Sequence, residues 1–255
     1  MADKSQCPAS SGRNTTVGNP PAYASRPPSP APTYHTIDPA SHDMPREVTV
    51  NARDEKSRLK DPGQAEFTLV HRAAALGDLK TVRHLLDGGS DELEVPTQSG
   101  STPLIGACES GSIDVVKLLL EHGADITRRN KLGNTPLGTA ASRGDVEIVR
   151  LLLDVGAERN PQLNIGWTPL LQAARGGHHQ VVEVLLQRGA DPSAITFTGQ
   201  TALHIAVLNG KLEVVKTLLQ NGATVAPLDN KRRTPLNLAA QHGHKDIVKL
   251  LKSWS

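Results

Sequence analysis

The chain has 255 residues, 37% of them hydrophobic but only 2% aromatic, and carries a formal charge of +2. A core is affordable at that length, yet it must be filled by Leu, Val, Ile and Ala, which disfavours the aromatic-rich interior of an ordinary globular enzyme. The near-neutral charge argues against a strongly basic nucleic-acid grip, and two cysteines, Cys7 and Cys108, form neither a disulfide framework nor a zinc spacing.

Residues 1–62 come first in chain order. They hold ten of the eighteen prolines with many Ser, Thr and Asn and few clustered apolar residues. Such a composition buries too little surface to offset its ordering entropy, so a disordered tail is expected. The opening "MADKSQCPASSG" has no apolar core of a secretory signal, and no run reaches the roughly 18 apolar residues of a membrane span. The expectation is therefore an intracellular, cytoplasmic protein, with the nucleus as a second compartment because "KRR" at Lys231–Arg233 is a weak nuclear signal. Within the tail, Pro20-Pro21-Ala22-Tyr23 forms a PPxY motif. Its prolines favour the extended polyproline conformation that docks into aromatic grooves, and the motif resembles the ligands of WW domains, including those of HECT-type ubiquitin ligases. The competing reading is chance, since three fixed residues in a proline-rich tract are few. The charged run "NARDEKSRLKD" predicts at most a fraying helix before Pro62.

From Glu66 a period appears. Thr102, Thr135, Thr168, Thr201 and Thr234 are each 33 residues apart, and Gly111, Gly144, Gly177, Gly210 and Gly243 keep the same beat. In "TPL" the threonine hydroxyl caps a helix, and proline at the first helical position gives up only an N–H that has no intrahelical partner. Small pairs such as Ala107-Cys108 and Ala140-Ala141 let neighbouring first helices approach. A glycine such as Gly144 adopts the left-handed conformation that ends this helix. A second helix follows, as in "DVEIVRLLLDVG", with Val146, Val149, Leu152 and Leu153 turned inward. "GAD" or "GAE" then begins a projecting turn toward the next copy. One copy cannot cover its own apolar faces, so the copies must stack.

The pattern G-x-TPL-x-x-A-A-x-x-G, continued by apolar-V-x-x-LL-x-x-GA-D, resembles the ankyrin repeat over about 190 residues. The resemblance implies an all-α repeat solenoid of helix-turn-helix units with hairpin turns, used to bind other macromolecules, usually proteins. Six copies are expected, at 66–98, 99–131, 132–164, 165–197, 198–230 and 231–255, the last shortened as a C-terminal cap. The first copy lacks the proline, and Arg72 and Arg83 predict a polar outer face. In the last, Arg232 stands where Gly100, Gly133, Gly166 and Gly199 stood, which predicts a distorted or strained turn.

No phosphate loop, Ser/His/Asp arrangement or zinc pattern appears, so neither enzyme activity nor a cofactor or metal is expected. "GACES" around Cys108 falls in an alanine slot and reads as core, while His178-His179 falls between helices and reads as a solvated turn. His204 follows "TAL", where the resemblance implies hydrogen-bonded support of the turn. Positions that break the repeat point to binding instead. Trp167, Arg143, Arg175, Leu208, Arg233 and His242 occupy slots expected on the concave side. Arg129, Lys131, Ile165 and Phe197 fall at hairpin tips. Trp167 and Phe197 are two of the six aromatics, and aromatic side chains ringed by Arg are typical interface anchors. The competing reading has Trp167 packing on its own hairpin. The first hairpin is acidic and later tips are basic, which suits a partner protein with an acidic, partly apolar segment. The sequence thus predicts a monomeric, non-catalytic adaptor, with a WW-ligase recruiter as one alternative and, less favoured, a nucleic-acid binder through the basic tips.

Overall fold

The computed structural model describes residues 67–163 and 166–254. Among these residues twelve α-helices and one short 3-10 helix occur, and no strand. The tail, with Pro20, Pro21 and Tyr23, lies outside the described residues, as does Ile165.

The helices come in pairs: α1 (Leu69–Leu76) and α2 (Leu79–Asp87), α3 (Pro103–Ser110) and α4 (Ile113–Glu121), α5 (Pro136–Arg143) and α6 (Val146–Asp154). The same order continues through α7 (Pro169–Gly176) and α8 (His179–Gln187), α9 (Ala202–Leu208) and α10 (Leu212–Gln220), α11 (Pro235–Gln241) and α12 (Lys245–Ser253). Odd helices pack on odd and even on even, each pair also packing internally. This is the stacked all-α repeat architecture that the period demands.

Local chemistry accounts for each start and stop. The hydroxyl of Thr135 accepts the N–H of Gly138 at 3.1 Å, and Thr68, Thr102, Thr168, Thr201 and Thr234 cap their helices in the same way. Each such cap contributes on the order of 1 kcal/mol. Proline begins α3, α5, α7 and α11. In α9, Ala202 takes that place, and His204 completes a reciprocal capping box with Thr201. Gly144 ends α5 at φ +88°, and a Cβ there would collide with the His178 ring of the next copy.

The core is one continuous ribbon of small and branched side chains. Ala107, Cys108, Ala140, Ala141, Ala173 and Ala174 are fully buried between the odd helices, while Val149, Leu152, Val182, Leu185, Val215 and Leu218 fill the even row. Val146 and Leu153 are only half-buried at its margin. Burying a leucine side chain of this kind contributes roughly 1.5–3 kcal/mol, so the stack of copies, not any one copy, supplies the stability.

Between successive pairs the chain runs out into a finger. We number them one to five, with tips at residues 97–100, 130–133, 163–166, 196–199 and 229–232. Each tip is closed by a backbone bond between its ends, such as Gly199 N–H to the Thr196 carbonyl at 2.9 Å. Arg232 makes the equivalent bond to Asp229 at 2.8 Å while holding φ +58°. The fifth tip is therefore strained while keeping the closing bond of the other tips, the second of the two outcomes the sequence predicts. The first pair departs from expectation. Its outer face carries Arg72 and Arg83, but Phe67, Leu69 and Leu76 are exposed beside them, so that end is amphipathic, not polar.

Candidate functional site

The finger tips are built from a polar residue that the repeat places three positions before the tip glycine. The Asn130 Oδ1 accepts the N–H groups of Leu132 (3.0 Å) and Asn134 (2.9 Å). Thr196 Oγ1 accepts from Thr198 and Gln200, and Asp229 Oδ1 accepts from Lys231 (2.9 Å) and Arg233 (2.8 Å). Asn, Asp and Thr do this because a short side chain can reach its own backbone two residues on. These positions recur every 33 residues, so the signal is present in the sequence. In the third finger the position is Leu163, which has no such group.

One side-chain contact joins two expected anchors. The Arg175 guanidinium lies over the Trp167 ring, 5.6 Å from its centroid. A cation at that distance is attracted by the ring's negative face. Arg175 is exposed near the end of α7. Trp167 is half-buried at the base of the third finger and packs against the core. It therefore has a packing role as well as an exposed face, where the period alone had placed it outside the core.

The other expected residues divide into free and engaged groups. Phe197, at the fourth tip, is 70% exposed, with its ring lying close to Gly166 of the third finger. Leu208 ends α9 half-buried, in the same register on its helix as Arg175 on α7. Arg143 ends α5 exposed, with its Nε 3.5 Å from Asp145 Oδ2. His242, past α11, stacks on His244 at 6.2 Å. Arg129 is already employed inside the molecule: it donates to the Gln162 carbonyl and pairs with Glu158 at 3.6 Å, linking the second and third fingers. The backbone N–H of Lys131 donates to the Ser99 carbonyl of the first finger at 2.8 Å. Arg233 is clamped by Asp229, with Nη2 2.7 Å from Oδ2. Burial pushes the Asp229 carboxyl up, but the backbone and guanidinium donors of Arg233 outweigh it and hold the group below the usual carboxylate range.

The acidic first finger is similarly used for structure. Glu92 accepts the N–H of Val70 at 3.2 Å, at the start of α1, and Glu94 accepts the N–H of Asp125 at 2.8 Å and faces Arg128 at 3.6 Å.

Three residues weighed for chemistry have structural explanations. Cys108 is fully buried, and burial pushes its thiol far up, with Asp145 and Glu109 adding to the effect, so little thiolate forms. His178 stands at the N-cap position of α8 without a side-chain cap bond, and its Nε2 donates to the Ser142 carbonyl at 3.0 Å. The Nδ1 of His204 accepts the N–H of Thr201 at 3.2 Å, and its Nε2 donates to the Arg233 carbonyl at 3.1 Å, tying α9 to the fifth finger. Among the described residues no group of three or more His, Cys, Asp or Glu could hold a metal ion. Nor is any helix there long and apolar enough to cross a membrane.

Comparison with known proteins agrees with this geometry. A family model described as ankyrin repeats (3 copies) matches residues 48–130, 128–196 and 193–254. The chain is 34% identical over 90 residues to the 2-5A-dependent ribonuclease of Mus musculus, 35% of this chain and 12% of that protein. It is 38% identical over 64 residues to the DNA-binding protein RFXANK of Homo sapiens, 25% of either chain. It is 39% identical over 70 residues to the 26S proteasome non-ATPase regulatory subunit 10 of Dictyostelium discoideum, 28% of this chain and 29% of that one. The chain thus spans less than a third of each of these relatives, and what their names describe is said of them alone. With the family model covering most of its length and every helix, cap and finger in register, the chain belongs to the ankyrin-repeat family.

Proposed function

We propose that this protein is a non-catalytic, monomeric adaptor of the cytoplasm that holds a partner protein across its odd-numbered helices and finger tips. A protein-interaction role follows from the repeat architecture, and rigid stacks of this kind present extended surfaces to partners. The observation that carries the finer reading is Phe197. It is a large aromatic left 70% exposed at a finger tip, its ring beside Gly166 of the third finger. Arg143, Arg175, Leu208 and His242, at or beside the ends of the odd helices, vary from copy to copy while the threonine caps recur, which is how one scaffold carries one specificity. Arg129, Lys131 and Arg233 flank that surface, and their internal bonds suit them to shaping its fingers.

Phe197→Ala combined with Arg143→Ala tests this reading in the full chain. Truncating a central aromatic or Arg anchor removes about 2 kcal/mol or more, roughly a thirtyfold loss in affinity for a partner recovered by affinity purification. Both residues are exposed, so the melting curve should stay within about 0.5 kcal/mol per site of the parent. Full binding by this folded variant would move the recognition surface elsewhere. The Pro20, Pro21 and Tyr23 motif would then be tested next, with Tyr23→Ala against an isolated WW domain.

A further inference from the structure

The five fingers leave grooves between them, and two of these grooves occupy the same register two copies apart. The first, between the second and third fingers, is a recess of about 130 Å3 lined by Ile126, Thr127, Arg129, Glu158 and Pro161. Arg129 crosses it to reach Glu158 and the Gln162 carbonyl, so charge closes its mouth. The second, between the fourth and fifth fingers, opens to about 260 Å3. Here Ile195 stands in the register of Arg129 and Thr224 in that of Glu158. No ion pair spans it among the described residues. Ile195 is 52% exposed and its neighbour across the groove, Leu228, is 55% exposed, with Pro227 half-buried beside them.

Two aliphatic side chains facing each other across an open groove lose the hydration penalty only when something apolar fills the space. The volume is below the roughly 300–1,000 Å3 of small-molecule pockets, and it lies between the finger segments that carry Ile195 and Leu228. One or two side chains of an extended peptide fit such a slot. Charge selects among peptides. Lys231 and Arg232 stand exposed at the tip of the fifth finger, and neither is in an ion pair among the described residues. Two carboxylates of the fourth and fifth fingers are engaged within them: Asp229 with Arg233, and Asp191 with the N–H of Ser193 at 2.8 Å.

We infer that the groove between the fourth and fifth fingers is a docking slot for an extended segment of a partner protein, with apolar side chains at alternate positions followed by carboxylates. The apolar residues sit between Ile195 and Leu228, and the carboxylates reach Lys231 and Arg232 at the tip. Alternation follows from the geometry of an extended strand, whose neighbouring side chains point to opposite faces. Carboxylates meeting the two cations fix the direction and speed the encounter more than they add affinity. This slot rests on the adaptor reading above and gives it a specific motif.

The molecule supplies its own test. Ile195→Arg with Thr224→Glu installs in the second groove the pair that closes the first, so the variant is expected to fold with an unchanged melting curve. A displayed library of random peptides is selected on three full-length baits: the parent, this double variant, and Arg143→Ala/Arg175→Ala. The parent and the arginine variant should enrich the apolar-x-apolar-acidic motif. The grafted chain should lose it, and a synthetic peptide of that motif should bind the graft about tenfold or more weakly. Lys231→Gln with Arg232→Gln should keep the apolar positions and drop the acidic ones. A motif retained on the graft but lost on the arginine variant would overturn the slot and leave the adaptor reading on the odd helices. Enrichment of no motif, or of a basic one, on the parent would overturn the slot as well.

Discussion

A copy in the middle of the stack and the last described copy share the TPL start, the alanine pair and the helix-ending glycine, but they differ where a following copy would touch them. In the middle, Gly199 ends its finger tip at φ +73°, and the backbone nitrogen of Asn230 from the next finger would lie 2.9 Å from a Cβ placed there. Gly166 is approached by Phe197 in the same way. At the last tip no described finger follows, and Arg232 occupies the equivalent position with φ +58°. Ala174 is fully buried and its counterpart Ala240 is exposed. Leu171 and His204 are buried where Asn237 is exposed, and Leu219 is buried where Lys252 is exposed. The first copy shows the same relaxation on its own outer side: Thr81 is exposed in the register where Val115 and Ile148 are buried. Most of what makes the repeat recognisable therefore serves the neighbouring copy. Where no described copy packs alongside, the constraint lifts.

That contrast can be tested at several strengths. Leu152 lies fully buried in the middle of the even row, and Leu152→Ala should cost about 2–5 kcal/mol by chemical denaturation. A smaller loss would mean that the central copies yield more readily than their packing implies. Gly199→Ala should cost about 1–3 kcal/mol, because the left-handed backbone and the approach of Asn230 both resist a Cβ. If it proved neutral, the fingers would be independent of one another.

The third test uses pH. Burial lowers the pKa values of His71 and His204 below the ordinary histidine value, against the pull of the backbone bonds each makes. A depressed histidine stays neutral when folded and takes up a proton more easily when unfolded. Stability is therefore complete above the unfolded pKa of about 6.5 and falls as pH drops below it. His204→Asn imitates the last copy, where Asn237 Oδ1 accepts the Thr234 N–H at 3.0 Å and keeps the capping box. It should cost about 1 kcal/mol at pH near 7.5 through loss of the bond to the Arg233 carbonyl. It should also flatten the decline in denaturant midpoint toward a pH of about 5.5. An unchanged slope would leave His71, whose buried Nδ1 has no hydrogen-bond partner in the structure, as the source of the pH response.

The smallest effect is a gain. Relieving the left-handed strain at Arg232 is worth about 1–2 kcal/mol, and the extra freedom of an unfolded glycine returns about 0.5–1 of it. Arg232→Gly should therefore raise stability by up to about 1 kcal/mol. A loss would show that the arginine side chain holds something at the fifth tip.

The helices, their caps and the alanine slots were legible because each depends on residues a few positions apart, and a 33-residue period repeats that evidence. Cys108 could be read as core from its register alone, and His204 as a turn support from the resemblance. The surface was less legible. The exposed face of Phe197 follows from its place at a tip, but the burial of Trp167 does not, because it depends on how the third finger leans on the helices. Arg129 and Arg233 were singled out as binding residues; the Asp229 side chain four residues before Arg233 was legible as a tip residue, but nothing in a linear pattern reveals Glu158 reaching Arg129. The exposed Leu69 and Leu76 of the first copy were overshadowed by Arg72 and Arg83.

The sequence by itself determined the unit: where each helix begins and ends, which face is apolar, and that copies must stack to bury it. Those outcomes rest on backbone hydrogen bonds, rotamers and periodicity, all of which act within one copy. The tertiary structure decided which side chains meet across copies. It carried Arg129 to Glu158 and left Ile195 and Leu228 lining an open groove. Those pairings span about one repeat of chain and depend on the small rotation between neighbouring copies, a quantity fixed only when the whole core has packed.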